Sequence, residues 1–404
     1  MMRITINKSN ACGIIKAQPS KSHSHRLLIA CGLSSNDCII SNIVLSEDIK
    51  ATINCLKTLG KDIEYINDTV YIKNSNSKLA EELVFDCNES GSTLRFFIPI
   101  ALTLGKKVIF KGTEKLISRG IGVYQEIFDK QGIKYDIFKD KILIEGKLVS
   151  DIFKVVGNIS SQFISGLLFA LPLLDEESKI IITTELESKN YIDMTLDVLK
   201  LTNIKVIQEE NTFTINGKQT YIGNNFTAEG DYSNASFLDS LNYFAGNNVK
   251  IDGLNPNSSQ GDLIYQELFA KLDQDYATID LKNCIDLGPI LFAFASLKHG
   301  GHFINTKRLA IKESNRILDL KDELEKFGVS VLVLENEVFI DNSSLHAPIN
   351  HLSGKNDHRI VMALAIMLTI YGGTIDGFEA VKKSYPSFFD DLKSLGVEVL
   401  YEQN

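Results

Sequence analysis

The chain has 404 residues, 44% of them hydrophobic and 23% charged, an ordinary globular composition with enough apolar residues for two or three domains of roughly 150 residues each. A formal net charge of −9 disfavours general DNA or RNA binding, which requires a basic surface, but leaves room for a local basic pocket. The N-terminus "MMRITINKSN" has no apolar core of a signal peptide, and the longest apolar stretch, "IVMALAIMLTIYGG", falls short of the ~20 residues of a membrane span. A cytoplasmic protein without membrane contact is expected.

Taken in chain order, six segments repeat one design, small polar residues followed by a long apolar helical run. They are "SKSHSHRLLIACGLSS" from Ser20, "SGSTLRFFIPIALTLG" from Ser90, "SSQFISGLLFALPLLD" from Ser160, "SNASFLDSLNYFAG" from Ser233, "DLGPILFAFASLKHGG" from Asp286 and "NDHRIVMALAIMLTIYGG" from Asn356. Their starts are 70, 70, 73, 53 and 70 residues apart, a repeat signal. A short strand pattern follows several of them ("KKVIFKG", "SKIIITT", "NVKIDG", "GTIDGF"), then an amphipathic helix such as "EDIKATINCLKTLG" or "ESNRILDLKDELEKFG". Alternating pieces such as "DIEYINDTVYIKN" and "VSVLVLENEVFI" close several units as strand pairs. Each unit therefore reads as βαβαββ. The apolar helices need burial on most sides and the amphipathic ones a single wet face, so three units with helices inside and sheets outside make one α/β domain, and six make two similar ones.

The helix starts are rich in Ser, Asn, Asp and Gly, which cap helices and leave N–H groups facing outward. Each such end carries roughly half a positive charge, so several aimed at one cleft would trap anions. Capping alone needs no ligand, but cations cluster at the same places. Lys21 and Arg26 lie in the first start, Arg95 in the second and Arg359 in the sixth. "LISRGIG" adds Arg119, "RLAIKESNR" adds Arg308, Lys312, Glu313 and Arg316, and "AVKKSYP" adds Lys383. Lys312 and Arg316, four apart, are expected on one helix face near an N-terminus, where an acid or anion must offset them. Ser20 or Ser22 is expected to cap the first helix, and Ser22, Ser160, Ser161 and Ser188 to cap helices and add hydroxyl donors. Arginine forks suit phosphate and carboxylate. His23 and His25, two apart, do not share a helix face, and the six cysteines show no CxxC pairing, so no metal site or disulfide framework is expected.

A dozen motifs then occur in order over the whole chain: "PSKSHSHR", "SEDIK", "ESGSTLRF", "SRGIG", "GNISSQF", "ESKNYIDMT", "EGDYSNAS", "SQGD", "IDLGP", "IKESNR", "NDHRIVMA" and "KKSYPSFF". On them the chain resembles the 5-enolpyruvylshikimate-3-phosphate synthase family, enolpyruvyl transferases of aromatic amino-acid biosynthesis in the shikimate pathway. The resemblance implies an inside-out α/β fold of two domains, each of three βαβαββ units. The lower would comprise residues 1–19 and 230–404 and the upper 20–229, with the active site in the cleft between them. It implies a reaction of phosphoenolpyruvate with shikimate 3-phosphate, giving the enolpyruvyl ether and phosphate, without metal or other cofactor, in a monomer.

The same resemblance implies residue roles. Ser22, Arg26, Ser160, Ser161, Gln162, Ser188, Arg308, Lys312 and Asp286 would bind shikimate 3-phosphate. Gly91, Arg119, Gln162, Arg316, Arg359 and Lys383 would hold phosphoenolpyruvate, with Lys21 touching both substrates. Asp286 would be the general base for the 5-hydroxyl and Glu313 the acid that protonates the methylene carbon, with Lys21 beside them in the catalytic set. Three positions depart from the family pattern: Glu89 where Asn is frequent, Phe96 where Pro is common, and Arg308 where Asn commonly meets the shikimate phosphate. Changes near Gly91 bear on glyphosate, the family inhibitor that occupies the phosphoenolpyruvate site. The nearest rival, the UDP-N-acetylglucosamine enolpyruvyl transferases, typically carries a loop cysteine that "EKLISRGIG" lacks. A catalytically inactive anion-binding homologue is the other, and it would have no need of Asp286, Glu313, Lys21 and Lys383 together.

Overall fold

The computed structural model describes residues 3–74, 79–342 and 344–402. Its chain forms two compact units, one of residues 1–18 with 230–404 and one of residues 19–229. We refer to them as the first and second unit.

The second unit holds three four-stranded sheets with one wiring. In the clearest, Glu82–Asp86 runs parallel to Lys107–Lys111, which pairs antiparallel with Lys141–Glu145 and through it with Lys134–Ile137. Ile152–Val155, Ser178–Ile182, Thr212–Ile215 and Val206–Glu209 repeat the pattern. The third sheet is permuted: its parallel strand, Asn225–Thr227, comes from the far end of the unit and pairs with Cys38–Ser41. Strand residues alternate between core and solvent, as in "ELVFD", where Leu83 and Phe85 are buried and Val84 is exposed. Each sheet thus has one wet face, and the apolar helices Lys21–Leu33, Gly91–Leu102 and Ser161–Ala170 are buried on nearly every side. Each fully buried Leu, Ile or Phe there contributes about 1.5–3 kcal/mol. The amphipathic helices Glu47–Thr58, Gly122–Gln131 and Lys189–Leu201 bury one face only.

One glycine sets the approach of two core helices. A Cβ at Gly166 would stand 2.4 Å from the backbone oxygen of Arg95 and 2.3 Å from Tyr124 Oη. Without it the helices meet, and Tyr124 donates its hydroxyl to Arg95 O at 2.7 Å. That contact fixes the backbone from which Arg95 reaches Gln162.

The first unit has the same kind of buried helices, Tyr232–Asp239, Gly288–Leu297 and His358–Tyr371. Two of its sheets have four strands: Leu352–Ser353, Gly373–Asp376, Arg3–Ile6 and Val399–Glu402; and Ala277–Asp280, Gly301–Ile304, Glu337–Asp341 and Ser330–Val333. Among the described residues, the remaining sheet pairs Asn248–Asp252 with Cys12–Lys16 alone, in parallel. The expected βαβαββ unit is therefore incomplete there. The cause is visible in the helix-start spacing: the 53-residue interval is shorter than the others by about the length of a hairpin. All six cysteines are free, and all but Cys12 are buried.

Candidate active site

In the second unit, cations stand at or near the helix starts. Ser20 caps the Lys21–Leu33 helix through its side chain, so Ser22, expected as a cap, lies inside the first turn instead. Lys21 Nζ lies 2.9 Å from Asp48 Oδ2. Arg26 is buried, and its guanidinium donates to three neutral acceptors: Thr195 Oγ1 at 2.8 Å, Ser22 O at 2.7 Å and Tyr191 O at 2.8 Å. It also stacks over the Phe96 ring at 5.3 Å, so the unusual Phe96 serves as its apolar platform. Burial pushes the Arg26 pKa down to about 10, which leaves it charged at neutral pH.

Each histidine of the same segment has a partner at Nδ1, while His25 Nε2 is buried without one among the described residues. His23 Nδ1 accepts from the Glu229 backbone N–H at 3.1 Å. His25 Nδ1 meets Thr52 Oγ1 at 2.7 Å, and the chain continues through Thr93 to Ser90, the cap of the Gly91–Leu102 helix. Burial, and then the charges of Lys21 and Arg26, hold His25 well below the ordinary histidine pKa.

At that second helix start, a Cβ on Gly91 would stand 2.8 Å from Arg119 NH1. The bare backbone is what lets the Arg119 guanidinium lie against the helix end. Arg119 Nε meets no hydrogen-bond acceptor among the described residues. Arg95 donates to Gln162 Oε1 at 2.6 Å and lies over the Phe163 ring at 4.9 Å, while Gln162 Nε2 donates to Ser92 Oγ at 2.9 Å. Gln162 is thus held with a fixed orientation. Ser160 caps the Ser161–Ala170 helix through its side chain, whereas Ser161 is that helix's first residue. Ser188 precedes the Lys189–Leu201 helix without a side-chain cap bond, at φ 55° and ψ 42°. A left-handed backbone at serine costs roughly 1–2 kcal/mol. Glu89 is half-buried just before the Ser90 cap.

In the first unit the cations meet carboxylates. Asp286 lies in the tight turn Ile285–Leu287 that leads into the Gly288–Leu297 helix. Its Oδ1 is 3.0 Å from Arg316 NH1 and 3.2 Å from Lys312 Nζ, and its Oδ2 is 3.5 Å from Arg359 NH2. Arg359 NH1 also donates to the Asp286 backbone oxygen at 3.1 Å. Arg316 is 1% exposed and binds Glu313 Oε2 at 2.6 Å and Asp357 Oδ2 at 2.8 Å as well. Asp357 is fully buried and caps the His358–Tyr371 helix by accepting the Arg359 N–H. Burial opposes its ionisation, but the Arg316 charge prevails and holds its pKa below the usual carboxylate range.

The shared helix face expected for Lys312 and Arg316 is corrected. The helix begins at Arg316, and Lys312 lies in extended backbone before it, after the turn Lys307–Ile311. Asn315 supplies the cap, which starts the helix too late to include Lys312. The two cations converge all the same, through Asp286. Burial lowers the Lys312 pKa, the Asp286 charge raises it and the Arg316 charge lowers it further, for a net decrease. Arg308 is buried and donates to Lys282 O at 2.9 Å, and its charge also bears on Lys312. Lys383 Nζ donates to Asn356 O at 2.7 Å.

Sequence reasoning gave no role to Asp48, Thr195 or Asp357. Only Asp357 had a usable signal, since "NDHR" places an acid at the cap of a helix whose second residue is the arginine.

A family model described as EPSP synthase (3-phosphoshikimate 1-carboxyvinyltransferase) matches residues 6–392. The chain belongs to this family. It is 40% identical to a 3-phosphoshikimate 1-carboxyvinyltransferase of Clostridium kluyveri, covering 99% of this chain and 98% of the relative. It is 41% identical to one of Clostridium perfringens, covering 98% and 99%. Among solved structures it is similar to an EPSP synthase of Acinetobacter baumannii, with a TM-score of 0.80 at 19% identity and full coverage of both chains. It is also similar to the enolpyruvyl transferase NikO of Streptomyces tendae, with a TM-score of 0.79 at 11% identity, covering 100% of this chain and 99% of that one. At those identities the two structures speak for the fold alone, the two-domain α/β fold of the enolpyruvyl transferases. Among the described residues, no helix is long and apolar enough to cross a membrane.

Proposed function

We propose that this chain transfers the enolpyruvyl group of phosphoenolpyruvate to the 5-hydroxyl of shikimate 3-phosphate, releasing phosphate by addition and elimination. Beyond family membership, the observation that carries the reading is that Asp286 and Glu313 are held on one guanidinium, that of Arg316. The addition step needs one group to take a proton and another to give one, both held in fixed geometry.

Asp286 takes the 5-hydroxyl proton as that oxygen bonds to the donor's C2, and Glu313 in its acid form protonates the methylene carbon. The adduct then loses a proton from its new methyl group as the carbon–oxygen bond to phosphate breaks. Ser22, Arg26, Ser160, Ser161, Gln162, Ser188, Arg308 and Lys312 are assigned to the phosphorylated acceptor. Gly91, Arg119, Gln162, Arg316, Arg359 and Lys383 are assigned to the donor, and Lys21 to both. Arg26 suits the acceptor's phosphate because its own partners are neutral and leave its charge for a ligand. Charge on the departing phosphate is met by arginines and lysines. The assigned residues lie on one chain, and the proposal is a monomer.

Phosphate release from phosphoenolpyruvate, measured separately with shikimate 3-phosphate and with UDP-N-acetylglucosamine, tests the reading. Release with the first acceptor alone is expected. Release with the second alone assigns the chain to the other branch of enolpyruvyl transfer, and none with either makes it an anion-binding homologue.

A further inference from the structure

The hydrogen-bonded chain that starts at His25 has no part in the assignments above. It joins three helices of the second unit: Lys21–Leu33 supplies His25, Glu47–Thr58 supplies Thr52, and Gly91–Leu102 supplies Thr93, with Ser90 as its cap. His25 is 1% exposed, and Thr52, Thr93 and Ser90 are wholly buried. Apolar side chains in place of His25, Thr52 and Thr93 would avoid a desolvation cost, so the chain calls for a reason beyond packing.

Counting hydrogens gives the chain a direction. Ser90 Oγ accepts twice from Thr93, from its N–H at 3.2 Å and from its hydroxyl at 2.7 Å. The single hydroxyl hydrogen of Thr93 is then spent, so Thr93 Oγ1 must accept from Thr52 Oγ1 at 2.8 Å. Thr52 has spent its own hydrogen in turn, so its Oγ1 must accept from His25 Nδ1 at 2.7 Å. Burial and the charges of Lys21 and Arg26 keep the ring neutral, which leaves the hydrogen on Nδ1 and Nε2 bare. No partner at Nε2, among the described residues, opposes that tautomer.

The same helix faces carry an active-site cation. Lys21 lies four residues before His25 and Asp48 four before Thr52, so each pair shares one face of its helix. Lys21 Nζ meets Asp48 Oδ2 at 2.9 Å, one turn before His25 meets Thr52. Two rungs one turn apart therefore join these helices, which run in the same direction. The first rung is charged and partly open, and the second is neutral and buried. An anion that draws Lys21 off Asp48 breaks the first rung, and the second then holds the register. We propose that His25 is a positioning residue: through Thr52 and Thr93 it keeps the helix of Lys21 in register with the helix start at Gly91 while Lys21 exchanges Asp48 for the donor's anion. The inference rests on the assignment of Lys21 and Gly91 to the donor. Ammonium and backbone then meet the donor at a fixed spacing, which is what an oriented substrate requires.

Nitrogen-15 NMR of histidine-labelled protein without substrate tests the direction of the chain and needs no variant. His25 should show a hydrogen on Nδ1 and a bare Nε2, and the opposite tautomer overturns the proposal whatever the reaction is. In glycine-labelled protein the Gly91 amide resonance should move in His25→Leu, three hydrogen bonds away. It should stay in place in His25→Asn, which offers a side-chain N–H at the same reach. A Gly91 resonance unmoved by His25→Leu overturns the positioning. Thr52→Val, which keeps the shape and removes the hydroxyl, carries the test into kinetics. With shikimate 3-phosphate as acceptor, its KM for phosphoenolpyruvate should rise about tenfold with a smaller change in kcat. A lower kcat at unchanged KM is what a loss of folded protein gives, and it overturns the proposal. Thr52→Ser keeps the hydroxyl and should keep the wild-type KM, whereas equal impairment by serine and valine would make packing the cause and count against it. Combined with Thr52→Val, His25→Leu should raise KM no further than the worse single variant, because a chain broken once is broken. Effects that multiply would overturn the shared chain. Both NMR results as expected in a protein that releases no phosphate would instead sink the functional reading and leave the chain from His25 to Gly91 standing.

Discussion

Arg26 in the second unit and Arg316 in the first are both buried guanidiniums in the opening turns of helices, yet they keep opposite company. Arg26 bonds to a hydroxyl and two carbonyls and lies on an aromatic ring. Arg316 bonds to three carboxylates, one of them fully buried. Three neutral dipoles leave a guanidinium its whole charge for an incoming anion. Three acids neutralise it, and what it gains is control over them, because its planar fork fixes where each oxygen sits. The same device, a cation near a capped helix start, thus stands among neutral dipoles at Arg26 and grips the protein's own acids at Arg316, where it must serve those acids as well as the donor. Lys21, whose Nζ lies 2.9 Å from the Asp48 carboxylate, adds a third kind of surroundings.

The largest effect should come from the group this arrangement serves. Asp286→Asn keeps the volume and part of the hydrogen bonding but cannot accept a proton. Turnover should fall by about 10²–10⁴-fold, the usual range for a lost general base. Calorimetric binding of shikimate 3-phosphate should persist. Turnover near the wild-type rate would remove Asp286 from the mechanism and leave the acids of the first unit as mere counter-ions.

The next experiment is a pair, and it addresses the comparison directly. Arg316→Met strands Asp357 in the interior without its cation and should destabilise the fold by about 3–5 kcal/mol in urea unfolding. Arg26→Met strands only neutral acceptors, so its stability cost should be smaller, about 1–3 kcal/mol, while affinity for the phosphorylated acceptor drops sharply. The pH dependence separates them further. The depressed Asp357 pKa in the native protein is stability that is present above the unfolded carboxylate pKa, near 4, and lost as pH falls through the native value. Arg316→Met forfeits that contribution, so its deficit should be full at neutral pH and narrow on acidification. The Arg26→Met deficit should show no such trend. Equal deficits with equal pH profiles would mean that the two arginines are not differently employed.

Much of this was legible in the chain because burial and capping are local. The long apolar runs after Ser20, Ser90 and Ser160 had to be core helices, and the caps Ser20, Ser90 and Ser160 are where they should be. The 53-residue spacing was not a prediction of the short sheet, and its meaning emerges only with the strands in view. The gathering of Lys312 and Arg316 was anticipated through a wrong cause. Helical spacing suggested it, while the actual agent is Asp286, 26 residues upstream of Lys312 and invisible to any local pattern. Thr195 and Asp48 were missed for the same reason. Neither has a local signature, and each becomes informative only when a distant helix brings it to an arginine or a lysine.

The smallest effect should come from Gly91. Within a helix, alanine is favoured over glycine by up to about 1 kcal/mol, so Gly91→Ala should unfold no more readily than the wild type. Its methyl group would nevertheless land 2.8 Å from Arg119 NH1, too close to coexist. The obstacle is the tip of a long side chain, so the guanidinium will move and the backbone will not. A clamp displaced by a fraction of an ångström weakens the grip on its anion while leaving the acid and base of the other unit undisturbed. The expected signature is therefore a KM for phosphoenolpyruvate raised about tenfold, some 1.4 kcal/mol, with kcat nearly unchanged. A fall in kcat with KM unchanged would show that Arg119 acts on the transition state rather than holding the donor, and the division of labour between the units would have to be redrawn.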